Sequence, residues 1–125
     1  MARAPRAGLP ARACAGLLLA AAAWPASGEI LLVANKGEDT LSLIDMASGR
    51  QCARLPTGKA PHEIALSPGG RQAAVVGYGA ATVDIFDIAR ARLVHRIDIS
   101  PNQGPHGIAW PGRRRIVVVT DRANT

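Results

Sequence analysis

The segment PHEIALSPGGR, residues 61–71, decides the fold of this chain because it returns as PHGIAWPGR at residues 105–113. The two copies begin 44 residues apart. A second unit repeats in step, since TLSLID at residues 40–45 matches TVDIFD at residues 82–87, 42 residues later. A third copy begins where VVVTDRANT, residues 117–125, echoes LVANKGEDT, residues 32–40. A period of roughly 40–45 residues built of short strands is typical of the blades of a β-propeller.

Nine short strands are predicted in residues 29–125, and no helical periodicity is present there. Apolar and β-branched residues come in short runs or alternate with polar residues, as they do in strands. Clusters of Gly, Pro, Asn and Asp separate the runs and predict turns. The pattern is that of an antiparallel all-β meander. The predicted strands cover residues 30–34, 40–45, 51–55, 63–67, 72–76, 82–87, 92–97, 107–110 and 116–120.

The order of these motifs closely resembles the YVTN-type (YncE-like) β-propeller repeat. The strand at residues 30–34, followed by Asn35, precedes T-h-x-h-h-D at residues 40–45, and P-H-x-h-A-h-S-P-G-G-R follows at residues 61–71, where h is apolar. The resemblance covers essentially all of residues 30–125, with Gly70 standing where the family usually has Asp-Gly. It implies four-stranded antiparallel blades whose innermost strand is the P-H-x-h-A-h segment, about seven of them in a full-length protein.

Blade boundaries follow from that implied strand order. Residues 62–98 form one whole blade, residues 30–55 the outer three strands of a first blade, and residues 106–125 the start of a third. Residues 29–125 are therefore expected to be an incomplete propeller of about two and a third blades. Missing C-terminal blades would close the ring and cover the open faces.

Residues 1–28 have the pattern of a secretory signal peptide. Arg3, Arg6 and Arg12 precede an apolar run at residues 13–23, and small residues at 26–28 offer a cleavage site. The apolar run is too short for a membrane span, which needs about 20 residues, although an uncleaved anchor is the alternative. The mature chain is expected to begin near Glu29 and to be periplasmic or secreted.

The net charge does not point to a nucleic-acid partner. The formal charge of +6 includes the three arginines of the predicted signal peptide, and removing them leaves 12 basic residues against 9 acidic ones. Binding of single-stranded nucleic acid requires aromatic residues among the basic ones, on which the bases stack, and this chain has none there. The run of arginines at residues 113–115 is interpreted as a solvated turn before a strand, with a phosphate patch as the alternative.

Strand alternation sorts the turns into an upper and a lower rim, and the upper rim carries the more varied side chains. Loops on a rigid scaffold are where function usually concentrates. The candidate binding residues of this rim are Asn35, Lys59, His62, Glu63, Tyr78 and His106, and the same rim collects Lys36, Glu38, Asn102 and Gln103.

His62 and His106 are the candidates of greatest interest, because both follow a Pro at the start of an innermost strand. A ring of such histidines at the channel mouth could bind a metal, a haem or an anion. The favoured interpretation is structural, with each imidazole hydrogen-bonded to the backbone of a neighbouring blade. No metal ligand or cofactor-binding residue is therefore assigned.

No catalytic residue is assigned either. Cys52 is interpreted as a small half-buried strand residue, since no His or helix N-terminus near it would lower the pKa of its thiol. Asp45 and Asp87 end strands ahead of turns, where a carboxylate accepts backbone N–H groups. Residues 45–50 resemble a turn of quinoprotein propellers, but the Trp that usually follows is replaced by Leu55 and its neighbours.

The sequence thus favours an exported, non-catalytic propeller that binds an unidentified protein or small-molecule ligand at its upper rim. The alternative is a propeller enzyme or redox-associated propeller, such as a lactonase-like hydrolase, a quinoprotein or a partner of a c- or d1-type haem. Fold alone does not decide between them, because propellers carry many unrelated activities.

Overall fold

Alternating side chains and turn-forming residues produce nine β-strands in the computed structural model, which describes residues 28–122. The predicted signal peptide lies almost entirely outside the described residues, as do residues 123–125. All nine predicted strands are present, although β4 begins two residues earlier than predicted, and β8 and β9 are longer. The strands are β1 (Ile30–Asn35), β2 (Thr40–Asp45), β3 (Gln51–Pro56), β4 (Pro61–Leu66), β5 (Gln72–Gly77), β6 (Thr82–Asp87), β7 (Arg92–Asp98), β8 (Gln103–Gly112) and β9 (Arg115–Arg122).

The strands form three antiparallel sheets in chain order, as expected for consecutive propeller blades. The first sheet has the order β1-β2-β3, the second β4-β5-β6-β7 and the third β8-β9. Adjacent sheets meet along their inner strands, since β1 packs against β4, and β8 packs against β4 and β5. We refer to the sheets as blades 1, 2 and 3.

Blade 2 is covered on both faces, which explains why its central strands are buried almost without interruption. Val75 and Phe86 project into an apolar cluster with Leu41 and Leu43 of blade 1. The opposite face of β5 and β6 forms a second cluster against blade 3, consisting of Ala74, Val76, Val83 and Ile85 with Ile108, Trp110, Ile116 and Val118 packed on it. Because alternate residues point to opposite faces of a strand, both interfaces are built from the same two strands.

A buried carboxylate ties the loop between blades 1 and 2 to the centre of blade 2. Asp84 of β6 accepts the backbone N–H of Gly58 at 2.6 Å and a bidentate pair from Arg96 of β7, at 2.7 and 2.9 Å. Asp84 is completely buried, so these bonds replace the water that its charge would otherwise need. A Cβ at Gly58 would collide with Thr82 Oγ1, so only glycine allows this close approach.

The antiparallel order defines the two rims. The upper rim contains the turns and loops at residues 36–39, 57–60, 78–81 and 99–102 together with the end of β9, and the lower rim contains those at 46–50, 67–71, 88–91 and 113–114. On the lower rim, Asp45 and Asp87 accept the backbone N–H groups of Ala47 and Arg90 at 3.1 and 2.9 Å, as predicted for turn carboxylates.

Cys52 differs from its prediction. The side chain is exposed on β3, and its Sγ lies 3.6 Å from the carbonyl oxygen of Arg50. Ala53 and Leu55 of β3 pack against the apolar cluster shared with blade 2, so Cys52 lies on the opposite face, which no blade covers among residues 28–122. Residues 28–122 contain no helix long and apolar enough to cross a membrane.

Candidate binding site at the upper rim

Three blades bring polar and aromatic side chains together at the upper rim. The inner strands β4 and β8 begin side by side, so His62 and His106 meet with ring centroids 6.3 Å apart in an edge-on arrangement. Tyr78, in the turn after β5, also contacts His62, with the ring centroids 5.8 Å apart. The two repeated histidines and the only tyrosine of the chain therefore form one contiguous surface.

Charged groups complete this surface from blades 1 and 3. Lys36 Nζ lies 5.2 Å from the centroid of the Tyr78 ring, and the guanidinium carbon of Arg122 lies 5.7 Å from it. Both distances are within the range of cation–π contacts. The Tyr78 hydroxyl donates a 2.5 Å hydrogen bond to Asp121 Oδ2, and Asp121 also pairs with Arg122 at 3.4 Å. We call the group of Lys36, His62, Tyr78, His106, Asp121 and Arg122 the rim cluster.

The hydrogen bond between Tyr78 and Asp121 shifts the acidity of both groups. It raises the pKa of Tyr78, because the carboxylate stabilises the protonated phenol and its charge opposes ionisation. The same bond is the main cause that lowers the pKa of Asp121, with smaller contributions from Arg122 and His106. Near neutral pH the pair is therefore a phenol donating to a carboxylate.

Local backbone geometry places these groups. The N–H groups of Tyr78 and Gly79 donate to the carbonyls of Ala60 and Lys59 at 3.1 and 2.9 Å, which fixes the Tyr78 turn against the loop before β4. In the adjoining blade, Gly104 has φ +64°, and a Cβ there would collide with the Asp121 carboxylate. Glycine at that position therefore permits the approach of Asp121 to Tyr78.

The structure assembles some of the predicted rim residues and separates others. His62, Tyr78 and His106 converge, and the stem of Lys59 lies over Gly79 at the edge of the group. Asn35 instead donates to Thr40 Oγ1 at 3.1 Å and Ser42 Oγ at 2.8 Å, so its amide holds the β1–β2 hairpin. Glu63 is exposed, and within residues 28–122 it forms no ion pair or side-chain hydrogen bond.

The contacts of His62 and His106 differ from the prediction that each imidazole is hydrogen-bonded to the backbone of a neighbouring blade. Among the residues described, neither imidazole hydrogen-bonds to the backbone of a neighbouring blade, and their ring contacts are with each other and with Tyr78. Within residues 28–122 no three His, Cys, Asp or Glu side chains are grouped so that they could hold a metal ion.

Asp121 and Arg122 were missed as site residues, although the repeat contained a signal for Asp121. Lys36, Tyr78 and Asp121 occupy the same position of three successive repeats, 42 and 43 residues apart. Lys36 directly follows β1, Tyr78 directly follows β5, and Asp121 is the last residue but one of β9. Equivalent positions of adjacent blades are neighbours on one rim, so a cation, an aromatic ring and a carboxylate at this position were bound to meet. Arg122 follows one residue later, and its position in the repeat gave no reason to predict it as a site residue.

Comparison with known proteins shows the fold of this chain but not its function. No family model matches the sequence, and no curated protein matches it. Hydrazine synthase of Kuenenia stuttgartiensis is similar over 64% of this chain and 22% of its own, with 20% identity and a TM-score of 0.60. Dihydro-haem d1 dehydrogenase NirN in complex with DHE is similar over 73% of this chain and 19% of its own, with 20% identity and a TM-score of 0.64.

The chain thus spans about a fifth of the length of these two solved structures. Both contain β-propellers, and together with the antiparallel sheets they establish the all-β propeller fold predicted from the repeat.

Proposed function

We propose that this protein is an exported propeller of the YVTN (YncE-like) type that acts as a non-catalytic scaffold and binds an anionic ligand at its upper rim. The observation that carries this proposal is the rim cluster, in which side chains of three blades converge on one exposed surface. The ligand is either a small molecule or an acidic segment of a partner protein.

The charge of the rim cluster supports an anionic ligand. Its one carboxylate, Asp121, is engaged by the Tyr78 hydroxyl and by Arg122. Lys36 is exposed and forms no ion pair among the residues described, so its ammonium group is available to a ligand. The imidazoles of His62 and His106 add hydrogen-bond donors on the same surface.

The arrangement also supports binding over catalysis. The rim cluster contains no serine or cysteine nucleophile beside a base, which is the arrangement of covalent hydrolases. Its residues come from rigid strand ends and tight turns, which favours a preformed binding surface.

Isothermal titration with citrate, a compact polycarboxylate, tests the anion site. Lys36→Gln and Arg122→Gln are each expected to weaken binding about fivefold, the effect of roughly 1 kcal/mol for an exposed charged contact. Arg50→Gln is the control, since it removes an exposed cation of the lower rim, away from the cluster. Equal losses in all three variants, or no binding by the unaltered protein, would contradict the proposal.

A haem-associated function is the second candidate, because two imidazoles lie next to each other at the rim and one solved structure of similar fold is a dihydro-haem d1 dehydrogenase. Titration with haemin, followed by its visible absorption, separates the two functions. A stoichiometric complex that is lost in both His62→Ala and His106→Ala would favour the haem-associated function over the anion scaffold.

Export is tested independently of the ligand. N-terminal sequencing of the protein recovered from a periplasmic or secreted fraction is expected to begin at or near Glu29. Recovery of chains that retain Met1 in the cytoplasm would contradict export.

A further inference from the structure

A cleft on the lower rim, opposite the rim cluster, lies between blades 2 and 3. It has a volume of about 550 Å³, within the range of roughly 300–1,000 Å³ typical of small-ligand sites. Six of its lining residues matter for its chemistry: Ser67, Arg71, Gln72, Asp87, Trp110 and Arg113.

Two arginines of this cleft occupy the same place in the repeat. Arg71 ends the first copy of the segment that decides the fold, and Arg113 ends the second. Both are exposed, and within residues 28–122 neither forms a salt bridge. Arg113 and Arg114 form the exposed turn before β9, and Arg113 also lines the cleft.

The carboxylate in the cleft does not neutralise these arginines. Asp87 accepts the backbone N–H of Arg90 at 2.9 Å and its guanidinium at 2.7 Å. Both oxygens of Asp87 are therefore engaged by the turn that follows β6. The two guanidinium groups of Arg71 and Arg113 remain as unpaired forks of donors, a geometry that suits carboxylate and phosphate.

An aromatic wall and a hydroxyl donor complete the cleft. Trp110 is half-buried because it packs on the apolar cluster of blade 2, so its indole is held in place while part of it lines the cleft. The Ser67 hydroxyl oxygen accepts the N–H of Gln72 at 3.1 Å, which leaves the Ser67 O–H free to donate. An anion held by the arginines would place any attached flat ring near the indole.

From this combination we propose that the lower-rim cleft binds a small ligand in which a planar ring carries a phosphate or carboxylate group. The arginines and Ser67 bind the oxyanion, and Trp110 stacks on the ring. This site is separate from the rim cluster and does not depend on the function proposed for it.

Tryptophan fluorescence provides the test, because the chain contains only Trp24 and Trp110. The full chain carrying Trp24→Phe reports on Trp110 alone and is titrated with phenyl phosphate, benzoate and inorganic phosphate. Saturable quenching by phenyl phosphate or benzoate is expected, and the tighter of the two identifies the anion that the cleft prefers. Inorganic phosphate, which cannot stack, is expected to bind more weakly than phenyl phosphate.

Arg71→Gln and Arg113→Gln are each expected to weaken binding about tenfold, as loss of a hydrogen bond to a charged group does. Arg114→Gln is the matched control, because it alters the same turn outside the cleft and should bind as the unaltered protein does. The proposal is overturned by an absence of saturable quenching with both ring compounds at millimolar concentration. It is equally overturned if the two cleft variants bind normally, if Arg114→Gln loses as much, or if inorganic phosphate binds as tightly as phenyl phosphate.

Discussion

At the scale of single residues, the rim cluster depends on one hydroxyl. Tyr78 is the contact through which Lys36 of blade 1 and Asp121 of blade 3 are joined across blade 2. The ring contacts two cations, Lys36 and Arg122, and the hydroxyl donates a hydrogen bond to Asp121. Changes at Tyr78 and Asp121 therefore report directly on whether the three blades converge as described.

Titration of the single tyrosine tests this contact. The tyrosinate absorbance of the chain is expected to rise with a midpoint above the ordinary pKa of 10.0, because Asp121 favours the protonated phenol. In Asp121→Asn the negative charge is removed and the midpoint should fall toward 10.0. A midpoint at or below 10.0 in the unaltered protein would contradict the described contact.

The hydrogen bond between Tyr78 and Asp121 contributes to the free energy of unfolding only within a range of pH. The pKa of Asp121 is lowered on folding, so its contribution is present above the ordinary value of 3.8 and is lost as pH falls through the lowered value. The pKa of Tyr78 is raised, so its contribution is present below 10.0 and is lost as pH rises through the raised value.

A second prediction at this scale compares two arginines of blade 2. Arg96→Gln is expected to lower the free energy of unfolding by about 1–3 kcal/mol, because it leaves the buried Asp84 carboxylate without its bidentate partner. Arg90→Gln is the matched control, since Arg90 pairs with Asp87 at the surface and should contribute below about 1 kcal/mol. Urea denaturation measures both, and equal effects would contradict the role assigned to Asp84.

At the scale of elements, the turns repeat their backbone conformation more faithfully than their residue types. Positive φ recurs at Ala60, the residue before β4, and at Gly104, the second residue of β8, at 53° and 64°. It recurs again at Gly49 and Ala91, at 69° and 48°, in the lower-rim turns. Alanine thus stands in left-handed positions where the equivalent turn has glycine, which costs about 1–2 kcal/mol per residue.

Ala60→Gly is therefore expected to be neutral or to stabilise the protein by up to about 1 kcal/mol. Relief of the left-handed strain is opposed by the greater freedom of glycine in the unfolded chain, worth about 0.4–1 kcal/mol. Ala109→Gly, on the exposed face of β8, is the control and should destabilise by about 0.5–1 kcal/mol. Thermal melting of both variants is the measurement, and the idea fails if Ala60→Gly is the more damaging change.

At the scale of the whole molecule, blade 2 is covered on both sides and blade 3 on one side only. Ile116 and Val118 of β9 pack toward blade 2, whereas Val117 and Val119 point away and are 53% and 52% exposed. Neighbouring apolar side chains on an uncovered sheet promote association. The outer face of blade 3 therefore favours contact with another apolar surface.

Replacing both Val117 and Val119 with Lys is expected to reduce self-association of the chain, because the charges are placed on the uncovered face. Size-exclusion chromatography at several protein concentrations measures the effect. Val118→Lys is the comparison on the covered face and should destabilise the fold by more than about 2 kcal/mol. If the double variant associates as strongly as the unaltered chain, the association does not involve this face.

The sequence alone determined the nine strands, their order and the two rims. Strand formation and turn formation depend on residues close in the chain, and the repeat of about 43 residues identified which turns are equivalent. For the same reason, the meeting of His62 and His106 at the upper rim could be predicted, since equivalent positions of adjacent blades are neighbours in any propeller. Tyr78 was predicted on the same rim, but its contact with His62 was not.

Only the tertiary structure decided which polar groups meet and which side chains are covered. The hydrogen bonds of Asp84 join residues 26 and 12 positions apart, separations that do not match the repeat, so no pattern in the sequence specifies them. The Asn35 amide donates to Thr40 and Ser42 of its own hairpin and not to the rim surface. Cys52 is exposed because no neighbouring blade covers its face of the sheet. Contacts of this kind depend on how the blades pack against each other. The alternation of polar and apolar residues along one strand does not specify that packing.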